Sequence, residues 1–185
     1  MKNEVLYNVK EFKDVKDLID SACKDFAKNT AFVIKHKEGK NVQYENISYE
    51  TFGREVNSLG TALIDMGYKD KNIAVIGKNR YEWVVAYAAV MNGVGVVVPL
   101  DKGLPEEEIE ISIKKSKAEL IFCEENYVES LRRIIDKKET ALKKIICMDD
   151  MKEENTIRDL INNGENLIKE GNNEYINAKI DAEKL

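Results

Sequence analysis

Four short stretches of this chain, Asn72-Ile-Ala-Val-Ile76, Val94-Gly-Val-Val-Val98, Leu120-Ile-Phe-Cys123 and Ile145-Ile-Cys-Met148, are apolar without any polar alternation. A strand reads this way when both of its faces are covered, which is the usual state of strands in a parallel sheet. The stretches between them carry helical patterns. Tyr81 to Met91 is apolar on nearly every side, a second helix is opened by Pro105, and a third spans about Tyr127 to Lys138. Buried strands alternating with helices predict a parallel sheet with right-handed crossovers. The expected fold is therefore α/β, a three-layer α/β/α sandwich with a mainly parallel, flavodoxin-like sheet.

Other elements flank this unit. Val15, Leu18, Ile19, Ala22, Cys23 and Phe26 recur at helical spacing and predict a helix over about Val15 to Lys28, with Asp14 placed to cap it. Ala31 to Lys37 and Asn41 to Ile47 surround Glu38-Gly-Lys40, a β-hairpin signal in which Gly39 supplies the turn. Ser48 can cap a helix whose Phe52, Val56, Leu59 and Leu63 form an apolar stripe, and Gly67 sits where a left-handed residue would end it. Pro105 suits the first turn of its helix. Glu106, Glu107 and Glu108 lie near the positive end of that helix, with Lys114, Lys115 and Lys117 near the negative end. A last helix is expected over about Ile157 to Glu170, followed by polar Gly171-Asn-Asn-Glu174. The organisation read from this is one α/β unit over residues 1–170 and a linker over 171–185.

Composition narrows the function. Charged residues are 34% of the 185 and hydrophobic ones 43%, as in ordinary globular domains. The net charge of −5 disfavours nucleic-acid binding, which needs a basic surface. The N-terminal Met1-Lys-Asn-Glu-Val lacks the apolar core of a secretory signal, and no apolar run reaches the ~18 residues of a spanning helix. Cys23, Cys123 and Cys147 are odd in number and far apart, with no CxxC and a single His, which argues against a zinc site. They read as buried reduced thiols, and a cytoplasmic location is expected from them.

Several motifs have simple structural explanations. Gly93-Val-Gly95 follows a helix and precedes a strand, the reverse of a dinucleotide fingerprint, so its glycines are expected to serve a tight turn and close backbone packing. Gly77-Lys-Asn-Arg80 does lie between a strand and a helix, where α/β proteins place ligands. Its Lys78 and Arg80 are anion partners, but a single glycine makes a solvated basic turn an equal reading. His36, near a hairpin strand end, reads as a surface imidazole. No nucleophile elbow or Ser/Thr-rich phosphate loop is present in the 185 residues.

From about Asp14 onward the wording resembles the opening domain of AMP-forming acyl-CoA synthetases, the adenylate-forming ligase superfamily. The resemblance rests on Ile47-Ser-Tyr-Glu50, the Gly67-Tyr-Lys-Asp-Lys71 turn, Asn79-Arg-Tyr-Glu-Trp83 and Val97-Val-Pro-Leu-Asp101, in this order and spacing. The phrase Gly77-Lys-Asn-Arg-Tyr-Glu-Trp83 is similar to a turn of long-chain fatty-acyl-CoA ligases that is chiefly structural. The resemblance implies part of an enzyme that uses ATP, Mg and CoA to convert a fatty acid to its acyl-CoA, with AMP and pyrophosphate released. Asp181-Ala-Glu-Lys-Leu185 resembles the lead-in to that family's phosphate loop. The loop and the adenylating acid, Arg and Lys residues are expected outside these residues, so no catalytic or metal-binding residue is assigned.

By position in the family, Asp101, Lys102, Gly103, Leu104, Arg132 and Arg133 are candidate contacts to the CoA nucleotide. The implied partners are the remaining subdomains of the same polypeptide, and the face that meets them is expected to be apolar and prone to self-association. The chain alone is expected to be inactive and to bind no cofactor tightly. The alternative is a free-standing flavodoxin-like regulatory or binding module. That reading needs acids clustered at the strand ends, and Asp101 is the one such acid apparent in the sequence. A small hydrolase is disfavoured by the missing nucleophile motif.

Overall fold

The computed structural model describes residues 10–152 and 155–180. Along the chain run α1 (Val15–Asp25), β1 (Thr30–Glu38), β2 (Asn41–Ser48), α2 (Tyr49–Asp65), β3 (Lys71–Ile76), α3 (Tyr81–Ala89), β4 (Gly95–Leu100), α4 (Glu106–Ser116), β5 (Leu120–Cys123), α5 (Glu125–Lys137), β6 (Lys144–Cys147) and α6 (Ile157–Lys169). Strands β3 to β6 form one parallel sheet in the order β4-β3-β5-β6. The antiparallel β1–β2 hairpin is a separate two-stranded sheet, with Gly39 at φ +59° in its turn. The expected α/β architecture is the one observed.

Strand β3 shows why its sequence lacks alternation. Ile73 and Val75 point into a core shared with α2, α3 and α6, while Ala74 and Ile76 point into a second core shared with α4 and α5. All four are fully buried. Of the expected stripe on α2, Phe52, Val56, Leu59 and Leu63 all lie in the first core. Ser48 caps that helix by accepting from the Thr51 N–H at 3.1 Å, and Asp14 caps α1 by accepting from Asp17 at 2.8 Å. Gly95 permits the close packing expected of it, since a Cβ there would lie 2.1 Å from the Lys71 carbonyl oxygen.

Four local expectations need correction. On α1 only Ile19 and Cys23 of the apolar stripe pack against the core; Val15, Leu18 and Phe26 are exposed. Periodicity identified the helix but overstated how much of its face is covered. Helix α3 ends at Ala89 and widens into a π-helical turn, Val90–Val94, before β4. Pro105 stands at the cap position of α4 rather than inside its first turn.

The fourth concerns the polar segment after α6, which is held by Tyr175. This residue is fully buried, and its hydroxyl donates to the Ala89 carbonyl at 3.0 Å, where α3 meets the π turn. Its ring occupies the space beside Gly60, where a Cβ would meet it at 2.2–2.5 Å. The Lys16 ammonium lies 5.4 Å from the ring centre, and Lys69 pairs with Glu174 at 2.6 Å. A stretch that reads as linker therefore carries an aromatic anchor in the core.

Candidate functional site

The order of the sheet creates a crevice. After β3 the chain turns to the α2–α3–α6 side, and after β5 it turns to the α4–α5 side. Neighbouring strands whose exits diverge leave a gap above their carboxyl ends, the place where open α/β sheets bind ligands. Here that gap is an open crevice of about 480 Å³ lined by Lys78, Glu124, Glu125, Asn126 and Asp149.

Each lining residue is fixed by the strand before it. Gly77 ends β3, where a Cβ would press on Met148 Cε at 2.8 Å and Glu124 Cγ at 3.1 Å. Its absence lets the turn sink against the next loops. The Lys78 N–H donates to Glu124 Oε2 at 3.0 Å, and Glu124 is itself mostly buried. Asp149, just past β6, accepts from the Glu125 N–H at 2.8 Å and so satisfies one free amide at the start of α5.

Arg80 sits at the centre of this arrangement. It donates to Glu82 at 2.7 Å, to the Asp149 carboxylate and, at 3.2 Å, to the Met148 carbonyl. Burial works against its charge, but hydrogen bonds to Glu82 and Asp149 outweigh that and hold its pKa above the ordinary value. Burial likewise works against the Asp149 carboxylate, and the Arg80 hydrogen bond overcomes it, so its pKa is lowered. Arg80 is thus a clamp across β3, α3 and the β6 exit.

This crevice offers little to a polyphosphate. Two of its amides are already given to carboxylates, Arg80 is engaged, and Glu124, Glu125 and Asp149 surround the exposed Lys78. The Gly77–Arg80 turn is apparent in the sequence, where Asp101 is the one strand-end acid that stands out. Glu124 and Asp149 directly follow β5 and Met148, so their positions were readable once the strand ends were set.

The candidate nucleotide contacts fall on a neighbouring surface. Asp101 accepts from the Gly103 N–H at 2.8 Å and from the Leu104 N–H, through its carbonyl, at 3.2 Å. The Lys102 carbonyl accepts from the Tyr127 hydroxyl at 2.7 Å, which ties this turn to α5. Two residues past Leu104, Glu106 receives both Arg133 Nε, at 3.2 Å, and Arg133 Nη2, at 2.5 Å. Arg133 thus reaches the first turn of α4, while the 101–104 turn is tied to α5 through Tyr127. Arg132 instead pairs with Glu129 on its own helix at 2.6 Å. These ion pairs are solvent-exposed and contribute little to stability. Tyr127 was not singled out by the sequence, because its role depends on the α5–turn contact.

His36 is on the surface and bonds Glu45 at 2.9 Å. A last polar group lies under α2, α3 and α6. Arg158 donates to buried Glu55 at 2.8 Å, and burial, with the Glu55 carboxylate beside the Tyr81 hydroxyl, raises the Tyr81 pKa.

A doubly wound α/β domain with a crevice at its strand-order reversal is a class shared by many ligand-binding proteins. The particular family follows from comparison. A profile described as AMP-binding enzyme matches residues 19–182, and the chain belongs to that family. Fatty acyl-CoA synthetase A of Dictyostelium discoideum is 33% identical over 113 residues, 60% of this chain and 16% of that protein. Long-chain-fatty-acid–CoA ligase 5 of Rattus norvegicus is 32% identical over 114 residues, 59% of this chain and 17% of that protein. The chain thus spans less than a fifth of either relative. Among solved structures, a long-chain-fatty-acid-CoA ligase from Archaeoglobus fulgidus superposes with a TM-score of 0.69 at 18% identity, over 87% of this chain and 33% of that one. At that identity the likeness establishes the fold.

Proposed function

We propose that this chain is the N-terminal α/β subdomain of a fatty-acid–CoA ligase. The complete enzyme joins a fatty acid to CoA at the expense of ATP, releasing AMP and pyrophosphate, with Mg as the companion ion. The observation that carries this reading is the family match over residues 19–182 together with fatty acyl-CoA synthetases among the relatives. In the proposed arrangement the subdomain walls the acyl and pantetheine path and leaves ATP chemistry to residues outside 1–185. Its remaining subdomains are its main partners. Cytoplasmic location and a long-chain substrate belong to the same proposal.

Asp101, Lys102, Gly103, Leu104 and Arg133 are proposed as one contact surface for the CoA nucleotide, with Arg132 at its margin. Arg133 can exchange Glu106 for a phosphate because their pair is exposed and therefore screened.

The test is acyl-dependent pyrophosphate release with Mg-ATP, using a natural chain long enough to include a Thr/Ser/Gly-rich loop beside residues 1–185 alone. The longer protein should release pyrophosphate with fatty acid, and the shorter should not. Turnover by the 185 residues alone, or none by the longer chain, would overturn the assignment. Arg133→Ala in the active protein should raise the KM for CoA and leave that for ATP unchanged.

A further inference from the structure

The β1–β2 hairpin turns a basic and apolar face to water. Successive strand residues face opposite ways, so Val33, Lys35 and Lys37 share one face with their register partners Asn46, Tyr44 and Val42. All six are exposed, Tyr44 to 65%, Val33 to 59% and Val42 to 43%. The opposite face carries Phe32, Ile34 and Ile47, which pack against the α2–α3 core. Glu45 belongs to that opposite face, where it bonds His36 at 2.9 Å. None of the six residues on the outer face is acidic, and Lys40 adds a third cation at the turn.

Charge and shape together say what such a face fits. The chain as a whole carries a net charge of −5, which repels an anionic surface, so any attraction must come from a local cluster of cations. Tyr44 carries an amphipathic ring, the kind of side chain that sits at headgroup level in a bilayer. Lysines lay their methylene stems among apolar groups and extend the ammonium toward phosphate. Interfacial binding combines buried apolar area with attraction to anionic lipid, and this face offers both. A purely electrostatic partner would use the lysines and leave Val33, Val42 and Tyr44 in water. The hairpin is a sheet of its own, so a surface can meet it without disturbing β3 to β6.

We propose that the outer face of the β1–β2 hairpin docks this protein on an anionic lipid bilayer. Val33, Val42 and Tyr44 enter the headgroup region, and Lys35, Lys37 and Lys40 meet the anionic groups of the lipid. A bilayer also holds free fatty acid, so docking brings the proposed acyl substrate to the enzyme. That use rests on the ligase reading; the docking itself does not, and its test needs no turnover.

The probe is vesicles of phosphatidylcholine mixed with phosphatidylserine, beside vesicles of phosphatidylcholine alone. The 185-residue chain should co-sediment with the mixed vesicles at low salt and dissociate as salt rises. Each lysine at an anionic surface contributes about fivefold, so Lys35→Gln with Lys37→Gln should lower partitioning about 20-fold. Tyr44→Ser should lower it several-fold without loss of charge. These side chains are exposed, so the thermal midpoint should stay where it is in both variants. Lys114→Gln with Lys115→Gln removes the same charge from α4 and should change binding little. No binding at low salt, equal binding to both kinds of vesicle, or equal losses from the α4 and hairpin pairs would overturn the proposal. So would dimerisation without lipid that Tyr44→Ser abolishes, since the face would then belong to a second copy. A longer natural chain that fails to bind the mixed vesicles would overturn it too, by showing the face covered by the rest of the polypeptide.

Discussion

The two sides of the sheet are held in different ways. On one side α2, α3, α6 and the Tyr175 segment interlock through close approaches of backbone and ring. A Cβ on Gly164 would lie 1.8 Å from the Ser58 carbonyl oxygen, and one on Gly60 would enter the Tyr175 ring. On the other side α4 and α5 bury a simple aliphatic stripe, Ile109, Ile113, Val128, Leu131 and Ile134, and link their outer faces by exposed pairs. Those pairs are Arg133–Glu106 and Lys137–Glu110, both in contact with water. The contrast teaches where this fold is intolerant. Steric interlock on the first side cannot relax cheaply, whereas solvent-screened pairs on the second can be lost with little consequence.

The strongest way to break that contrast is Gly164→Ala. Ser58 meets the new methyl with backbone, so α2 and α6 must separate, and a loss of about 3 kcal/mol or more is expected from overpacking. Urea unfolding measures it; a change below about 1 kcal/mol would mean that the two helices are not in fixed contact.

Tyr175→Ala comes next, with an expected loss of about 3–5 kcal/mol, as for other large buried aromatics. Tyr175→Phe keeps the ring but loses the bond to Ala89, at a cost of about 1 kcal/mol. Equal losses for the two would show that the ring itself contributes nothing.

The same residue gives an alkaline prediction. Burial raises the Tyr175 pKa above its ordinary 10.0, so the folded state keeps the neutral phenol. This contribution is fully present below pH 10.0 and is lost as pH rises beyond it, because only the unfolded chain then releases its proton. Stability should fall above pH 10.0 less steeply in Tyr175→Phe than in the parent; equal slopes would dismiss Tyr175 as the cause.

Smaller effects sharpen the other half of the comparison. Tyr81→Phe removes a buried hydroxyl that lies beside the Glu55 carboxylate, itself already bonded by Arg158, and should cost no more than about 1 kcal/mol. Arg133→Ala should leave the thermal midpoint unchanged within error. A clear drop would mean that the α4–α5 pairs contribute more than their exposure implies.

Much of the architecture was legible from residues alone. Solid apolar runs such as Ile73 to Ile76 specify coverage on both faces, and intervening helices then force parallel strands. Caps at Asp14 and Ser48 and the left-handed Gly39 and Gly67 depend on neighbours a few residues away, so local chemistry was enough to place them. The family was legible too, because its phrases are local and ordered. The strand-end site was only partly so: the Gly77–Arg80 turn stood out, but Glu124 and Asp149 become its partners only when β3, β5 and β6 lie side by side.

Sequence periodicity likewise proposed a stripe on α1 without saying that Val15, Leu18 and Phe26 would remain exposed. Tyr175 looked like part of a polar linker, since its burial depends on Gly60 and Gly93, residues far upstream that leave room for a ring. The sequence by itself determined the elements, their order and the family, because those follow from short-range patterning. Pairings across the sheet, the crevice and the aromatic anchor were decided only by tertiary structure, because each requires groups distant in sequence to meet at one point in space.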